Sequence, residues 1–194
     1  MRKRIGVIAL VVAVCGVLAG TAAASAGPST AATTTAAAAA PYCGITWGSL
    51  PKAAGQHGAA SLISTRTGRH ECWDRIVFEF NGPATGYAVQ YGEVSDDGEG
   101  LVFNPYTAGG AHLKVQLRAS AYDDYYRPTY PYRNGDHPHN VLRYSTLRDV
   151  LYGGSYEGYT TFAVGVRGQL PYRVFTLSGP GTHSRIVIDI AHRW

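Results

Sequence analysis

His112-Leu113-Lys114-Val115-Gln116-Leu117-Arg118 alternates polar and apolar side chains without a break. Successive side chains of a strand point to opposite faces, so this stretch reads as a strand with one apolar and one wet face. The same period of two recurs on both sides of it. Ile76, Phe78 and Phe80 share a face against Val77 and Glu79, and Tyr87, Val89 and Tyr91 alternate with Ala88 and Gln90. Phe162, Val164 and Val166 alternate with Thr161, Ala163, Gly165 and Arg167, and Ile186, Ile188 and Ile190 oppose Val187 and Asp189. Turn residues separate these stretches at Asn81-Gly82-Pro83, Asp97-Gly98, Ala108-Gly109-Gly110 and Ser178-Gly179-Pro180-Gly181. Short alternating strands between such turns predict an all-β fold, an antiparallel two-sheet β-sandwich. One short helix is expected over residues 144–152, where Ser145 is placed to cap and Leu147, Val150 and Leu151 share a helical face.

The 194 residues include 14 Tyr and 24 Gly, and only 15% are charged. That low charge, with ordinary apolar content, excludes a wholly disordered chain. Residues 1–26 read as a secretory signal: Arg2, Lys3 and Arg4, then an uncharged apolar stretch over 5–20, then Ala24-Ser25-Ala26 as the cleavage site. The apolar stretch is short of the roughly 20 residues of a membrane span, although retention as an uncleaved anchor stays open. Val14 before Cys15 does not suit a lipobox. Residues 27–41, rich in Ala, Thr and Ser, read as a flexible tether, and the folded domain is expected over 42–194.

Cleavage changes the arithmetic. Three of the 17 basic residues lie before residue 27 and no acidic one does, leaving 14 against 13 and a charge near +1. A nucleic-acid partner calls for a basic patch or a strongly basic domain, and the composition keeps neither. Cys43 and Cys72 remain, an even pair that in an exported chain reads as a disulfide. Closing a loop of that length stabilises by about 3–4 kcal/mol; two free buried thiols are the alternative.

An internal echo links Arg75-Ile76-Val77-Phe78-Glu79-Phe80 with Arg185-Ile186-Val187-Ile188-Asp189-Ile190. Each has a basic residue, three apolar residues on one face and an acid on the other. Each also neighbours a Gly-Pro turn and a Tyr-x-Val strand, Tyr87-Ala88-Val89 and Tyr172-Arg173-Val174. Related hairpins in a sandwich, or convergent strand chemistry, would produce this.

Two of these segments, 74–83 and the hairpin 170–190, resemble the AMIN-type module, a small β-sandwich of exported bacterial proteins. More closely, the chain from Cys43 to Trp194 is similar to the AMIN-like secreted proteins and lipoproteins of high-GC bacteria. The matching runs are Cys43-Gly44-Ile45-Thr46-Trp47-Gly48-Ser49-Leu50, Arg66-Thr67-Gly68-Arg69-His70-Glu71-Cys72, Gly153-Gly154-Ser155-Tyr156-Glu157-Gly158 and Ala191-His192-Arg193-Trp194. The resemblance implies an extracytoplasmic, non-catalytic module that targets the cell envelope, with peptidoglycan or another wall glycan, or an envelope protein, as partner. No cofactor and no metal are expected.

AMIN modules accompany zinc amidases, whose His/Glu set needs a separate α/β domain for which no chain is left. His70-Glu71 does not begin a His-Glu-x-x-His helix, because Asp74 takes the last position. Asp136-His137-Pro138-His139 is the one cluster resembling a metal site, but Asn134-Gly135 and Pro138 mark a solvated loop. Ser155 lacks the closing glycine of a nucleophile elbow, and Gly153-Gly154 reads as a tight turn seating Tyr156 and Tyr159. Arg75 and Arg185 are expected to pair with Glu79 and Asp189 or with acids on neighbouring strands, and an arginine fork at Arg75 or Arg185, or His192, also suits the carboxylate of a peptide stem.

The expected ligand-binding site is the loop holding Tyr122, Tyr125, Tyr126, Arg127, Tyr130, Tyr132 and Arg133, with Asp123 and Asp124 between them. Tyrosines carry large apolar faces with few torsions to freeze and a hydroxyl at the tip, a combination suited to sugar rings and their hydroxyls. The alternative is that these rings cap the open end of the sandwich. A small secreted hydrolase using loop Asp, His or Glu is the competing activity.

Overall fold

The computed structural model describes residues 41–83, 85–96 and 98–194. The predicted signal, the predicted tether apart from Pro41, and Asp97 of the predicted 97–98 turn lie outside the described residues. Among the described residues the period-two stretches become antiparallel strands: β1 Lys52–Ala54, β2 Leu62–Arg69, β3 Trp73–Phe80, β4 Gly86–Tyr91, β5 Ala111–Arg118, β6 Leu147–Tyr156, β7 Tyr159–Val166, β8 Tyr172–Ser178 and β9 Ser184–Ala191. They form a five-stranded sheet in the order β1-β4-β5-β7-β6 and a four-stranded sheet in the order β2-β3-β9-β8. Two sheets pack face to face, as the sandwich reading requires.

The inner faces are the predicted ones. Ile76, Phe78, Phe80, Ile186, Ile188 and Ile190 from one sheet meet Val89, Leu113, Val115, Leu117, Phe162, Val164 and Val166 from the other, all buried. Phe78 and Phe162 touch across the interface with ring centroids 5.0 Å apart. Asp74, fully buried, ties the sheets together at one end. Its carboxylate accepts the backbone N–H groups of Thr146 and Leu147, where β6 begins, and lies 3.1 Å from His192 Nε2.

The echo acquires a physical reason. β3 and β9 are hydrogen-bonded neighbours, with Arg75 opposite Asp189, Ile76 opposite Ile188, Phe78 opposite Ile186 and Glu79 opposite Arg185. Two strands of the pattern basic–apolar–acidic run antiparallel, so each places its base against the other's acid. Asp189 is fully buried and holds two guanidinium groups: Arg75 Nε at 2.6 Å and Arg173 Nη2 at 2.7 Å. Both guanidinium groups lie over Trp73 and Phe175, and Arg173 also over Trp47. This layer of rings and arginines covers the outer face and buries Val187 although it points away from the core. Glu79 instead takes Arg66 at 2.6 Å and His183 at 2.9 Å, while Arg185 donates to the Ser178 carbonyl.

The expected helix over 144–152 is corrected: β6 runs through it. The register shifts between Leu147 and Asp149, so one extra residue enters the strand. That bulge sets Leu147 and Val150 on the same inner face three residues apart, a spacing that imitates a helix. Leu151 points the other way, into a second buried cluster with Val94, Phe103 and Ala163. The outer side of β6 and β7 is therefore dry, unlike that of β5. Gly165 lets the Ala108 carbonyl approach closely, and Gly153 lies under the Phe103 ring; any side chain there would push the covering loop off. Gly153-Gly154 is not the hairpin turn. The turn is Glu157-Gly158, both at positive φ (47° and 81°) between β6 and β7, the geometry of a two-residue hairpin.

The Cys43–Cys72 disulfide is present and fastens the amino-terminal 3₁₀ turn, Tyr42–Gly44, to the residue before β3. Among the described residues no helix is long and apolar enough to cross a membrane.

Asp189→Asn is expected to lower stability by about 3 kcal/mol, because two guanidinium groups lose a buried counter-charge. Urea unfolding measures it; a loss near zero would assign the arginines' placement to the rings alone.

Candidate functional site

The tyrosine loop is built around Asp123. Its carboxylate accepts the Tyr125 and Arg127 backbone N–H groups at 2.9 and 3.0 Å and the Arg127 side chain at 2.6 Å. These bonds close a tight turn and hold Tyr126 at φ 59°. The Arg127 contact is the first cause holding the Asp123 carboxyl below the usual aspartate range. Tyr122 and Tyr126 stack, centroids 5.6 Å apart and planes within 23°, and the Tyr122 hydroxyl accepts the Gly158 N–H at 3.0 Å. Arg127 lies over the Tyr125 ring.

The five tyrosines do not share one role. Tyr125 and Tyr126 are 79% and 82% exposed, and Tyr132 is 40% exposed. Tyr130 is buried, packed on Tyr152 and Phe162 with centroids 5.0 and 5.8 Å away. Its ring belongs to the core. Its hydroxyl bonds Thr65 Oγ1 at 2.7 Å, and Thr65 in turn bonds His139 Nε2 at 2.7 Å. Burial raises the Tyr130 phenol above its ordinary pKa, pushes Tyr152 up to about 12, and lowers the His139 imidazole. Tyr132 rests on Tyr130, centroids 5.2 Å apart, so the buried ring anchors the exposed one.

Two adjoining clefts meet beside this loop. One, of about 370 Å³, is lined by Tyr122, Tyr126, Tyr130, Tyr132 and Arg133 together with Asn134, Gly154 and Ser155. The other, of about 220 Å³, begins at the same Asn134, Gly154 and Ser155 and continues to Tyr156, Tyr159, Asp96 and Glu99. The result is a shallow, open groove with tyrosine faces along it and amide, hydroxyl and carboxylate groups between them. Tyr125 and Arg127 do not line either cleft. Asn134 was legible only as a turn residue, and Tyr156 and Tyr159 only as seated side chains; nothing in the sequence joins them to residues 122–133, because the join is made by the β6–β7 hairpin.

The other candidates separate. Asp136 caps the Arg133 N–H at 2.7 Å, His137 pairs with Asp149 at 2.8 Å, and His139 turns to Thr65, so the Asp-His-Pro-His run does not converge. Among the described residues no group of three or more His, Cys, Asp or Glu is placed to hold a metal ion. Ser155 Oγ donates to the Tyr159 carbonyl and accepts from the Ala121 N–H and the Thr160 hydroxyl. Its hydroxyl is thus committed to closing the hairpin. His70 stacks on Trp73, and His192 joins Asp74 and the Glu71 carbonyl.

A family model described as an AMIN-like domain matches residues 60–192. The chain belongs to the AMIN-like domain family. No curated protein matches it. The matched range of this AMIN-like domain holds both sheets except β1, and the whole tyrosine groove.

The lowered His139 pKa has a pH signature. The unfolded chain takes up this proton near the ordinary value of 6.5 while the folded one resists it. Its contribution to stability is complete above that pH and is lost as the pH falls below it. Calorimetry is expected to show the melting temperature falling from pH 7 to pH 5, with a shallower fall in His139→Gln. An unchanged slope would assign the sensitivity to other groups.

Proposed function

We propose that this AMIN-like domain is a non-catalytic, extracytoplasmic module that binds the cell envelope through peptidoglycan or another wall glycan. The observation that carries the reading is the groove in which the exposed Tyr126 and Tyr132 rings and the Tyr122 edge flank Asn134, Arg133 and Ser155. A sugar presents an apolar face ringed by hydroxyls, and alternating tyrosine faces with amide and guanidinium donors match both. Arg133, exposed at the rim, suits the carboxylate of a stem peptide. The proposed contact set is Tyr122, Tyr126, Tyr132 and Arg133, with Tyr125 and Arg127 shaping the loop and Tyr130 anchoring it. Family membership and the disulfide support an envelope setting outside the cytoplasm.

The buried carboxylates support a non-catalytic reading. Asp74, Glu79 and Asp189 each already hold backbone N–H groups, histidine or arginine, and none lines the groove, whose own carboxylates are Asp96, bonded to the Leu101 N–H, and the exposed Glu99.

The full chain is expected to sediment with purified peptidoglycan sacculi at low and moderate salt. Tyr126→Ala and Tyr132→Ala each remove a stacking face worth about 1 kcal/mol, so each is expected to weaken retention about fivefold. Protein that stays in the supernatant at both salt levels overturns the reading. Dye-labelled wall is expected to release no more dye with the protein than with buffer, chelator or not; chelator-sensitive release would restore the hydrolase.

A further inference from the structure

The four-stranded sheet has two outer edges, and they are treated differently. The β2 edge is covered: Leu62 exchanges hydrogen bonds with the Ser120 carbonyl and the Thr129 hydroxyl, and Thr65 and Thr67 bond Tyr130 and Tyr144 of the crossing segment. In the other sheet the β6 edge is closed by Gly135 and Asp136, which both bond Tyr152, and β1 is only three residues long. At β8 the cover stops after one residue. Tyr172 donates to the Gly48 carbonyl, and Gly179 returns to His183 of the β9 side. In an antiparallel ladder these two bonds fix which way every group between them points. Arg173, Phe175 and Leu177 turn their backbone groups toward β9. Val174, Thr176 and Ser178 turn theirs outward, where among the described residues no backbone group meets them.

This edge lacks the devices that keep sheet edges apart. Residues 174–178, Val-Phe-Thr-Leu-Ser, carry no charge and no proline, and Thr176, Leu177 and Ser178 are exposed. We propose that the β8 edge pairs with the same edge of a second copy of this chain, antiparallel about Thr176, joining the two four-stranded sheets into one. The sequence is complementary to itself in that register. Val174 exchanges both backbone bonds with the partner's Ser178, Thr176 with the partner's Thr176, and Ser178 with the partner's Val174, so every outward group is used. A register centred on Phe175 would set Ser178 against Tyr172, whose N–H is already given to Gly48. On the outer face Phe175 meets the partner's Leu177, covering a leucine left 39% exposed in the single copy. Arg173 falls opposite the partner's Gly179, which has no side chain to obstruct it. The Ser178 carbonyl also receives Arg185 Nη2 at 3.4 Å and has a second lone pair for the partner. A two-fold axis makes such a contact close on itself as a dimer. The pairing lies outside the tyrosine groove and stands whether or not wall glycan is its ligand.

The full chain is expected to double its mass by light scattering as concentration rises from about 1 μM to about 1 mM. Thr176→Pro removes an N–H that β9 does not use, so the melting temperature should hold while the doubling disappears. Thr176→Cys places the two thiols across the axis, with Cα atoms about 5.5 Å apart, and mild oxidation should give a covalent dimer. Ser178→Cys sets them four residues apart, about 13 Å, and should give at least tenfold less. A monomer throughout the concentration range, a Thr176→Pro protein that dimerises like the parent, or equal crosslinking of the two cysteine variants would overturn the proposal. Should Thr176→Pro fail to fold, the cysteine pair decides alone.

Discussion

The β3–β9 pairing is the contact on which the rest of the molecule depends. Its inner rows, with Ile76 opposite Ile188 and Phe78 opposite Ile186, form one wall of the core together with Phe80 and Ile190. Its outer rows place Asp189 under Arg75 and Arg173, and those guanidinium groups in turn hold the Trp47, Trp73 and Phe175 rings over the sheet. A buried carboxylate is costly unless its charge is compensated and its lone pairs are filled. Two forked arginines do both, and flat rings shield them from water. A bare sheet face thereby becomes a covered one without a helix. One residue away on the inner side, Asp74 reaches the first N–H groups of β6, so the same strand pair also fixes where the second sheet begins.

The opposite sheet is covered by other means. The segment after β4 folds back over β6 and β7 and inserts Val94 and Phe103 against Leu151 and Ala163. Gly153 and Gly165 permit the approach, one under a ring and the other under a carbonyl. This covering loop supplies Asp96 and Glu99 to one cleft, while the loop between β5 and β6 supplies the tyrosines to the other. The groove exists because two irregular segments end beside the same hairpin: the first bonds Asp149 of β6 through the Ala108 N–H, and the second bonds Tyr152 of β6 through Gly135 and Asp136. Its tyrosines divide between anchor and face: Tyr130 sinks into the core, and Tyr132 and Tyr126 remain available above it.

Membership in the AMIN-like family and the disulfide give this arrangement a setting. The proposed β8 pairing adds to this setting. A dimer through β8 would carry two grooves, and two sites on one polymer bind with an avidity neither has alone.

Much of the fold was legible in the sequence. The period-two rows of 76–80, 113–117, 162–166 and 186–190 named the inner face of the sandwich, because a strand's alternation is local and a half-buried sheet demands it. The partnership of Cys43 and Cys72 was legible too. The β6 strand was not, because a bulge at Arg148 gave Leu147, Val150 and Leu151 the spacing of a helix, and only the neighbouring β7 and the loop over it show that both faces are dry. The tyrosine loop was visible as composition, yet composition could not say that Tyr130 would be buried and Tyr126 exposed. Nor could it place Asn134 and Tyr156 beside them, or turn the backbone of Val174 and Thr176 away from β9. Which side chains alternate and which turns divide them follow from bonded geometry over a few residues. Which faces are covered, which tyrosines are buried and which stay exposed depend on contacts between segments tens of residues apart, and those contacts exist only in the folded chain.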